Sequence, residues 1–561
     1  METTSTVVSS LSSGWFQLSI WNLLMVIVGL FALLLILHTI SFLKTYIKFK
    51  DTPGYVSFLP AVLDALVKKR IYVHNQYECT LEAFKKNPNA KVVKVQMGGS
   101  CQILVARDQA LIKEILVKKY KTISKGESLA PVGLFGPNMF SADSSNPLWK
   151  KHRTMANPIF SSSSHLKNVF RVTLEETKKM LNFWKSIYGS ETDGSIRKVN
   201  VTNEFKSITL NVINRVAFDY DVGIFDNGAK YRDELHDWVT DLLTGLIYTF
   251  VMPKFLFEYA PFGIFKRFRD AKERFKVATL TMIDKKQKEM DSNEFIQKDD
   301  EDLLTLLLKS SAAASSEDEK LSRDELLSAI FIVFFAGFET SSASLNFMLR
   351  MLAKNQQFQD EVVREIDQEI KHADDISFEL ITNKLPLLTS FIKEVLRTKT
   401  PVGGGARVIN SKKGDFINGV HYPQGTSVTI SYFSQHYYAK EGHDDFDPYR
   451  FMDKKSTSTA AATSDEVGEN ETGETYGKGP MGELNIDFGS DGILPFSIGP
   501  RDCIGKRMAL LEMKLILVFL LKNYRLKVPK GLEEAQDAVP ETYIVTRTVF
   551  EPYLIDFETR Q

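Results

Sequence analysis

The stretch Phe496-Ser497-Ile498-Gly499-Pro500-Arg501-Asp502-Cys503-Ile504-Gly505 holds the residue types best able to do chemistry in this chain. One cysteine stands in a glycine-flanked turn, with Arg501 two residues before it and an apolar run, Met508-Ala509-Leu510-Leu511, soon after. That run predicts a helix over Met508–Leu521, so the cysteine lies just before a helix N-terminus. Backbone N–H groups there favour an anionic sulfur, and a thiolate is the form that binds a metal. The glycines leave room for a flat group to approach. A buried structural cysteine is the blander reading of the same residue.

A second cluster is Ala336-Gly337-Phe338-Glu339-Thr340-Ser341. An acid and a hydroxyl midway along a buried helix are costly without a task. Gly337 is expected to remove bulk where a ligand lies against the backbone. Thr340 is expected to bond back toward Ala336 and open the helix locally, so that Glu339 and Thr340 pass protons through held water. An ordinary polar helix contact is the alternative. Trp149 and Arg153, four residues apart, share a helix face and suit either a carboxylate ligand or a surface cation–π pair. His152 between them reads as solvated. Glu394 and Arg397, three apart, also share a face, and Arg407 and Pro448-Tyr449-Arg450-Phe451 follow.

The elements that must position these residues are mostly helical. A capping box, Ser322-x-x-Glu325, opens a helix from about Asp324 to Lys354, whose stretch Ala329–Phe335 is apolar all round and therefore buried. Residues 165–290 show helical apolar spacing, and a short apolar helix is expected at Leu303–Leu308, between loops at Asp291–Asp302 and Ser310–Lys320. Further helices are expected at Asp108–Val117 and Asn355–His372. Strands are expected at Lys91–Met97 and Gln102–Ala106 around Gly98-Gly99, and again after Tyr524. Gly403-Gly404-Gly405 lacks the strand–turn–helix setting of a phosphate loop. Residues 453–490, small, polar and acidic, read as a disordered insertion.

Bulk properties narrow the classes. Lys+Arg and Asp+Glu both number 70, so no general nucleic-acid affinity follows. Three cysteines, Cys79, Cys101 and Cys503, give no disulfide framework and no Cys-x-x-Cys zinc pair. Leu18 to Leu43 carries no Lys, Arg, Asp or Glu, and Lys44, Lys48 and Lys50 follow. Ile20–Ile40 as a helix spans roughly 30 Å, the thickness of a bilayer core. No basic residue precedes it, so an uncleaved anchor with its C-terminal side in the cytosol is favoured over a signal peptide. The domain reading is a tail and anchor over 1–50 and a single large domain over 51–561.

Taken in order, W-x-x-x-R, A-G-x-E-T, E-x-x-R, P-x-R-F and F-x-x-G-x-R-x-C-x-G resemble the motifs of the cytochrome P-450 family, across roughly residues 50–561. The resemblance implies a mainly α fold, a helical prism with a small β lobe. It implies haem b with iron on the Cys503 thiolate, and Phe496 and Gly505 in the cofactor loop. Trp149, Arg153, Arg407 and Arg501 would contact the haem propionates. Glu339 and Thr340 would steer protons to oxygen, and Glu394, Arg397 and Arg450 would form a structural network. Tyr449 departs from the usual Pro-Glu-Arg-Phe, which leaves its partner open. The implied activity is a membrane-bound monooxygenase. Its implied partners are an NADPH-dependent flavoprotein reductase, with cytochrome b5 as a second donor, on the endoplasmic reticulum. Phe135–Phe140, Phe335, Ala336 and Val402–Gly405 are the candidate pocket, apolar or aromatic. The chain is similar in character to fungal microsomal members, among them the spore-wall oxidases that couple N-formyltyrosine into dityrosine. Fatty-acid, alkane and sterol hydroxylases are the alternatives within the family, and a haem sensor or carrier without turnover is the alternative class.

Overall fold

Two units divide the chain in the computed structural model, Met1–Leu104 and Val105–Gln561. All residues are described except 1, 61–62, 65–66, 68–77, 127–131, 191–192, 250–251, 293–300, 314–319, 440–444, 453–487, 544–545, 550–551 and 561. For residues 2–21 only the backbone is described.

The first unit starts with helix Glu2–Lys48. Its segment Asn22–Lys48 is long and apolar enough to cross a membrane, with a mean hydropathy of 2.8, and the large apolar side chains from Leu23 to Leu37 are exposed. The helix continues beyond the apolar run because its last turns dock on a hairpin. Thr45 Oγ1 donates to Gly99 O at 2.8 Å and Gln96 Nε2 donates to Phe42 O at 3.0 Å. His38 Nε2 lies 2.7 Å from Phe58 O. Strand Gly54–Ser57 runs parallel to Val92–Met97, which turns at Gly98-Gly99 into Ser100–Val105. Residues 51–104 thus group with the apolar helix, whereas the sequence reading set its boundary at 50/51.

In the second unit the central helix is Arg323–Lys354. Ser322 and Glu325 cap it reciprocally: Glu325 N donates to Ser322 Oγ at 3.2 Å and Ser322 N to Glu325 Oε2 at 2.8 Å. Helix Val201–Phe218 packs along it. The approach is close because Gly337 has no side chain; a Cβ there would sit 2.7 Å from Ile213 Cγ1. The cysteine helix, Lys506–Asn523, packs on helix Ser163–Tyr188 and on the central helix. It is apolar on nearly every side, and Leu515–Leu521 is buried throughout. Each such Leu or Phe contributes about 1.5–3 kcal/mol of burial free energy, so these two helices anchor the core.

The β structure is small. Gly405–Ile409 pairs antiparallel with Ser427–Ile430 and with Ile123–Ser124. Tyr524–Lys527 pairs with Leu554–Thr559, which pairs in turn with Ile196–Asn200. A C-terminal hairpin joins Glu541–Tyr543 to Arg547–Val549.

Several sequence expectations shift at their edges. The expected helix at Asp108–Val117 is an α turn, Gln109–Lys113, running into a π-helical turn, Glu114–Lys118. The short apolar helix extends through Ser310 to Ala312, because Ser311 Oγ accepts from Leu321 N at 2.9 Å and holds its end. Of the 453–490 insertion, residues 453–487 lie outside the described residues. Phe488 belongs to the core, buried and 5.5 Å from the ring of Phe496.

Candidate active site

The cysteine loop is closed by its own backbone. Cys503 N donates to Phe496 O at 2.8 Å, and Asp502 N donates to Gly499 O at 2.9 Å. Gly499 has φ +80° and any Cβ would fall 2.6 Å from Leu116 O, so only glycine fits. Gly505, next to the helix start, meets nothing within 4 Å of its Cβ position. Cys503 is accessible to solvent yet ringed by protein atoms. Burial, and then Asp502, push its thiol up to about 11, against the Gly505 N–H, Arg153 and Lys506. Burial thus opposes the stabilisation that the helix N-terminus offers a thiolate. A bound metal cation must displace the proton, which is how metal ligation couples to ionisation.

Beside the loop lies a group of cations with few anions. Arg407 is 3% exposed and Lys125 6% exposed. Among the described residues, Lys125 has a cation–π contact with Phe140 at 4.3 Å and no hydrogen bond or ion pair. Arg407 Nη1 donates only to its neighbour Ala406 O, at 2.9 Å. Arg501 is held by neutral acceptors: Ser144 Oγ at 3.1 Å, Met139 O at 3.1 Å and Ala142 O at 2.6 Å. Its guanidinium lies over the Trp149 ring, 4.1 Å from the centroid. Burial, with Arg407 adding, pushes Arg501 down to about 9; burial, with Arg407 and Arg501 adding, lowers Lys125 well below its ordinary value. The Trp149 Nε1–H is buried and has no partner among the described residues. Such a cluster is costly until anionic groups enter it. A flat ligand bearing two carboxylates meets that need.

Lys125 was not found from sequence because no motif contains it. It is visible only through strand register: Ser124 pairs with Val408, which sets Lys125 opposite Arg407. Arg153, on the same helix as Trp149 (Pro147–Ser161), is engaged by the cysteine loop itself. Its Nη1 donates to Asp502 O at 2.7 Å and its Nη2 pairs with Asp502 Oδ1. His152 is not solvated: it is 1% exposed, both ring nitrogens lack partners, and burial lowers it to about 4, so it is neutral.

The central helix carries the acid and the hydroxyl. Ala336 is exposed although its helix is otherwise deeply buried, and Thr340 is half-buried. At 100° per residue, Ala336, Glu339 and Thr340 fall within about 100° of one another on the helix. Thr340 Oγ1 donates to Ala336 O at 2.8 Å. The helix nevertheless stays α-helical throughout, because the hydroxyl shares that carbonyl without displacing the backbone ladder. Glu339 is buried; Oε1 accepts from Thr546 Oγ1 at 3.1 Å and Oε2 has no partner. Gly337 serves helix packing against Ile213, not a ligand, which corrects the sequence reading. Among the candidate pocket residues, Phe135 stacks on Phe275 and meets Phe331 edge-on, while Phe331 stacks on Phe335. Phe140 covers Lys125 instead. A cavity of about 680 Å³, lined in part by Trp238, Ile330 and Phe334, touches a different face of the central helix.

Helix Pro386–Thr398 supplies the remaining cluster. Arg397 Nε and Nη2 each reach Glu394 at 2.8 Å, and Arg450 Nε reaches Glu394 Oε1 at 3.2 Å. Asp447 N adds a bond to the same oxygen at 3.0 Å. Glu394 and Arg397 are buried. Tyr449 finds its partner outside this network: its OH donates to Glu361 Oε2 at 2.6 Å.

The Cytochrome P450 family model matches residues 53–548. The chain belongs to the cytochrome P450 family. This P450 is 27% identical to cytochrome P450 3A14 of Cavia porcellus over 76% of the chain and 77% of that protein. It is 26% identical to cytochrome P450 3A18 of Rattus norvegicus over 80% of the chain and 84% of that protein. A crystal structure of the cytochrome P450DA heme domain shares its fold, with a TM-score of 0.67 at 19% identity over 91% of this chain and 98% of that one. The P450 is thus a haem-thiolate monooxygenase supplied with electrons by a redox partner. Its residues suit the cofactor: an accessible cysteine, an open Gly505, an exposed Ala336, and a cation cluster with an orphan indole donor suited to two propionates.

Proposed function

We propose that the Cys503 thiolate would hold the haem iron and that the enzyme is membrane-anchored, oxidising a small lipophilic or aromatic substrate. The observation that carries this is the cluster of buried Lys125 and Arg407 with half-buried Arg501 beside the cysteine loop, without carboxylate hydrogen-bond partners among the described residues. Bound haem supplies reductive activation of O2. The protein's own contributions are separate. The loop bonds from Cys503 N and Asp502 N fix the sulfur's position. Arg407, Arg501, Lys125 and the Trp149 indole would hold the haem's two carboxylates. Thr340, bonded back to Ala336 O, and Glu339, with one oxygen unpartnered among the described residues, would hold and pass protons. Arg153 ties its helix to Asp502. The buried Glu394–Arg397–Arg450 group stiffens the fold.

The exposed apolar helix at Asn22–Lys48 supports a membrane anchor, with the endoplasmic reticulum as the site and an NADPH-dependent reductase as the electron source. Tyr248, Met252, Phe255, Tyr259 and Phe262, exposed together between two long helices, support contact of the second unit with an apolar surface. Half-buried Phe135 and Phe335, the latter next to exposed Ala336, favour a flat or hydrocarbon substrate. A tyrosine derivative such as N-formyltyrosine heads the panel to test, followed by fatty acids and sterols. The deciding experiment is the ferrous carbon-monoxide spectrum of the membrane fraction. The wild type is expected to show the strongly red-shifted band of a thiolate ligand, and Cys503→Ala to lack it. A wild type without haem overturns the reading.

A further inference from the structure

The acid of the central helix is held by a residue from the far end of the chain. Thr546 is 3% exposed and its Oγ1 donates to Glu339 Oε1 at 3.1 Å. That hydroxyl is placed by contacts independent of Glu339. The next residue, Arg547, donates from its backbone N to Pro401 O at 2.8 Å and from Nη1 to Thr398 O at 2.7 Å. Its Nε and Nη2 both reach Glu541 Oε2, at 2.9 and 2.7 Å, across the hairpin. Lys399 holds the other Glu541 oxygen. Thr546 directly precedes strand Arg547–Val549, whose first residue is pinned to the end of the Glu394 helix by bonds that do not involve Glu339.

The alternative partner is close at hand and unused. Arg547 sits one residue from Thr546, yet its guanidinium is committed to Glu541 and Thr398 O. Among the described residues Glu339 has no ion-pair partner, and its only side-chain hydrogen bond comes from a neutral hydroxyl. A carboxylate locked on arginine resists leaving it, whereas a single neutral hydrogen bond is weak enough to exchange. The second oxygen, Oε2, is buried and without a partner, which is a costly state for a carboxylate that does nothing else.

We propose that Thr546 is a positioning residue for Glu339: its hydroxyl restrains Oε1, which sets the rotamer of the carboxylate and leaves Oε2 as the oxygen that exchanges protons. The C-terminal hairpin is thereby part of the proton-supply apparatus. This rests on the reading of Glu339 and Thr340 as the proton-handling pair.

The test compares Thr546→Val, which keeps the shape, with Thr546→Ser, which keeps the hydroxyl, in full-length haem-loaded protein. Thr546→Ala substitutes for the valine variant if that one fails to load haem. The first readout is the share of reducing equivalents released as hydrogen peroxide in place of water or product. Thr546→Val is expected to raise the peroxide-to-product ratio about fivefold, the population change that loss of one neutral hydrogen bond gives, and Thr546→Ser to restore it. The ferrous carbon-monoxide band stays in place. The second readout is thermal unfolding of the same variants with and without Glu339→Ala: the Thr546→Val shift in Tm is present with Glu339 and absent without it. An unchanged peroxide ratio, a serine variant as leaky as valine, or equal Tm shifts in both backgrounds overturns the inference. Thr340→Ala and Glu339→Gln are the controls. If they too leave the peroxide ratio unchanged, the proton-handling reading itself has failed; if they raise it and Thr546→Val does not, only the role of Thr546 has.

Discussion

The guanidinium of Arg501 lies over the indole of Trp149, its central carbon 4.1 Å from the ring centroid. The loop that carries Cys503 is thereby stacked on the helix that carries Arg153, and the indole N–H is left buried with no acceptor. An orphan donor beside three crowded cations describes a site waiting for carboxylates.

Trp149→Phe tests that donor alone, since the ring and its stacking remain. A hydrogen bond to a charged group contributes about 1.5–3 kcal/mol, so haem should leave the variant about 10- to 150-fold faster. Transfer of haem to an excess of apomyoglobin measures this. Lys125→Met should act in the same direction with the fold intact.

Gly337→Ala should destabilise the protein even though alanine is the better helix former. The new Cβ would meet Ile213 Cγ1 at 2.7 Å and Cδ1 at 2.8 Å, and overpacking of this kind costs about 1–3 kcal/mol. Ile213→Ala in the same chain should recover most of the loss. Denaturant unfolding of the two single variants and the double variant decides it; a stabilised Gly337→Ala would show that the two helices have slack.

Glu394→Ala should be among the most damaging changes outside the cysteine loop. It leaves Arg397 buried with its bidentate partner gone and Arg450 without its carboxylate. Breaking such a buried pair costs about 3–5 kcal/mol. The expected result is a sharp fall in Tm and in recovered haem protein, measured on purified membranes.

Glu512 provides a pH signature. Burial pushes its carboxyl up to about 8, with a Ser341 hydrogen bond opposing, and its Oε1 lacks a partner. The folded protein keeps the proton, while the unfolded chain gives it up near the ordinary carboxylate pKa of about 4.3. Stability therefore falls as pH rises from that value toward about 8. Glu512→Gln mimics the neutral acid, so its Tm advantage over wild type should grow across that interval and vanish below it. A constant difference in Tm from pH 4 to 8 would contradict this.

Much of the site was legible in the chain because its chemistry is local. Phe496 to Gly505 forms a turn closed by its own backbone, with a glycine that no other residue can replace at φ +80°. Thr340 bonds to Ala336 within one helical turn, and Arg397 to Glu394 likewise. Residues three or four apart on a helix meet whatever the rest of the chain does. The sequence by itself also determined the apolar N-terminal helix and the buried central one, since hydrophobic run length and all-round apolarity need no partner to be read.

What tertiary structure decided is where distant segments meet. Lys125 joins Arg407 only through strand register, and Thr546 reaches Glu339 across 207 residues. Gly337 looks like a ligand contact until Ile213 arrives beside it, and His152 looks solvated until its helix is packed. The ionisation of Cys503 belongs here too. Local sequence favours the thiolate, while the protein packed around the sulfur disfavours it by desolvation, a contribution that only the folded chain supplies.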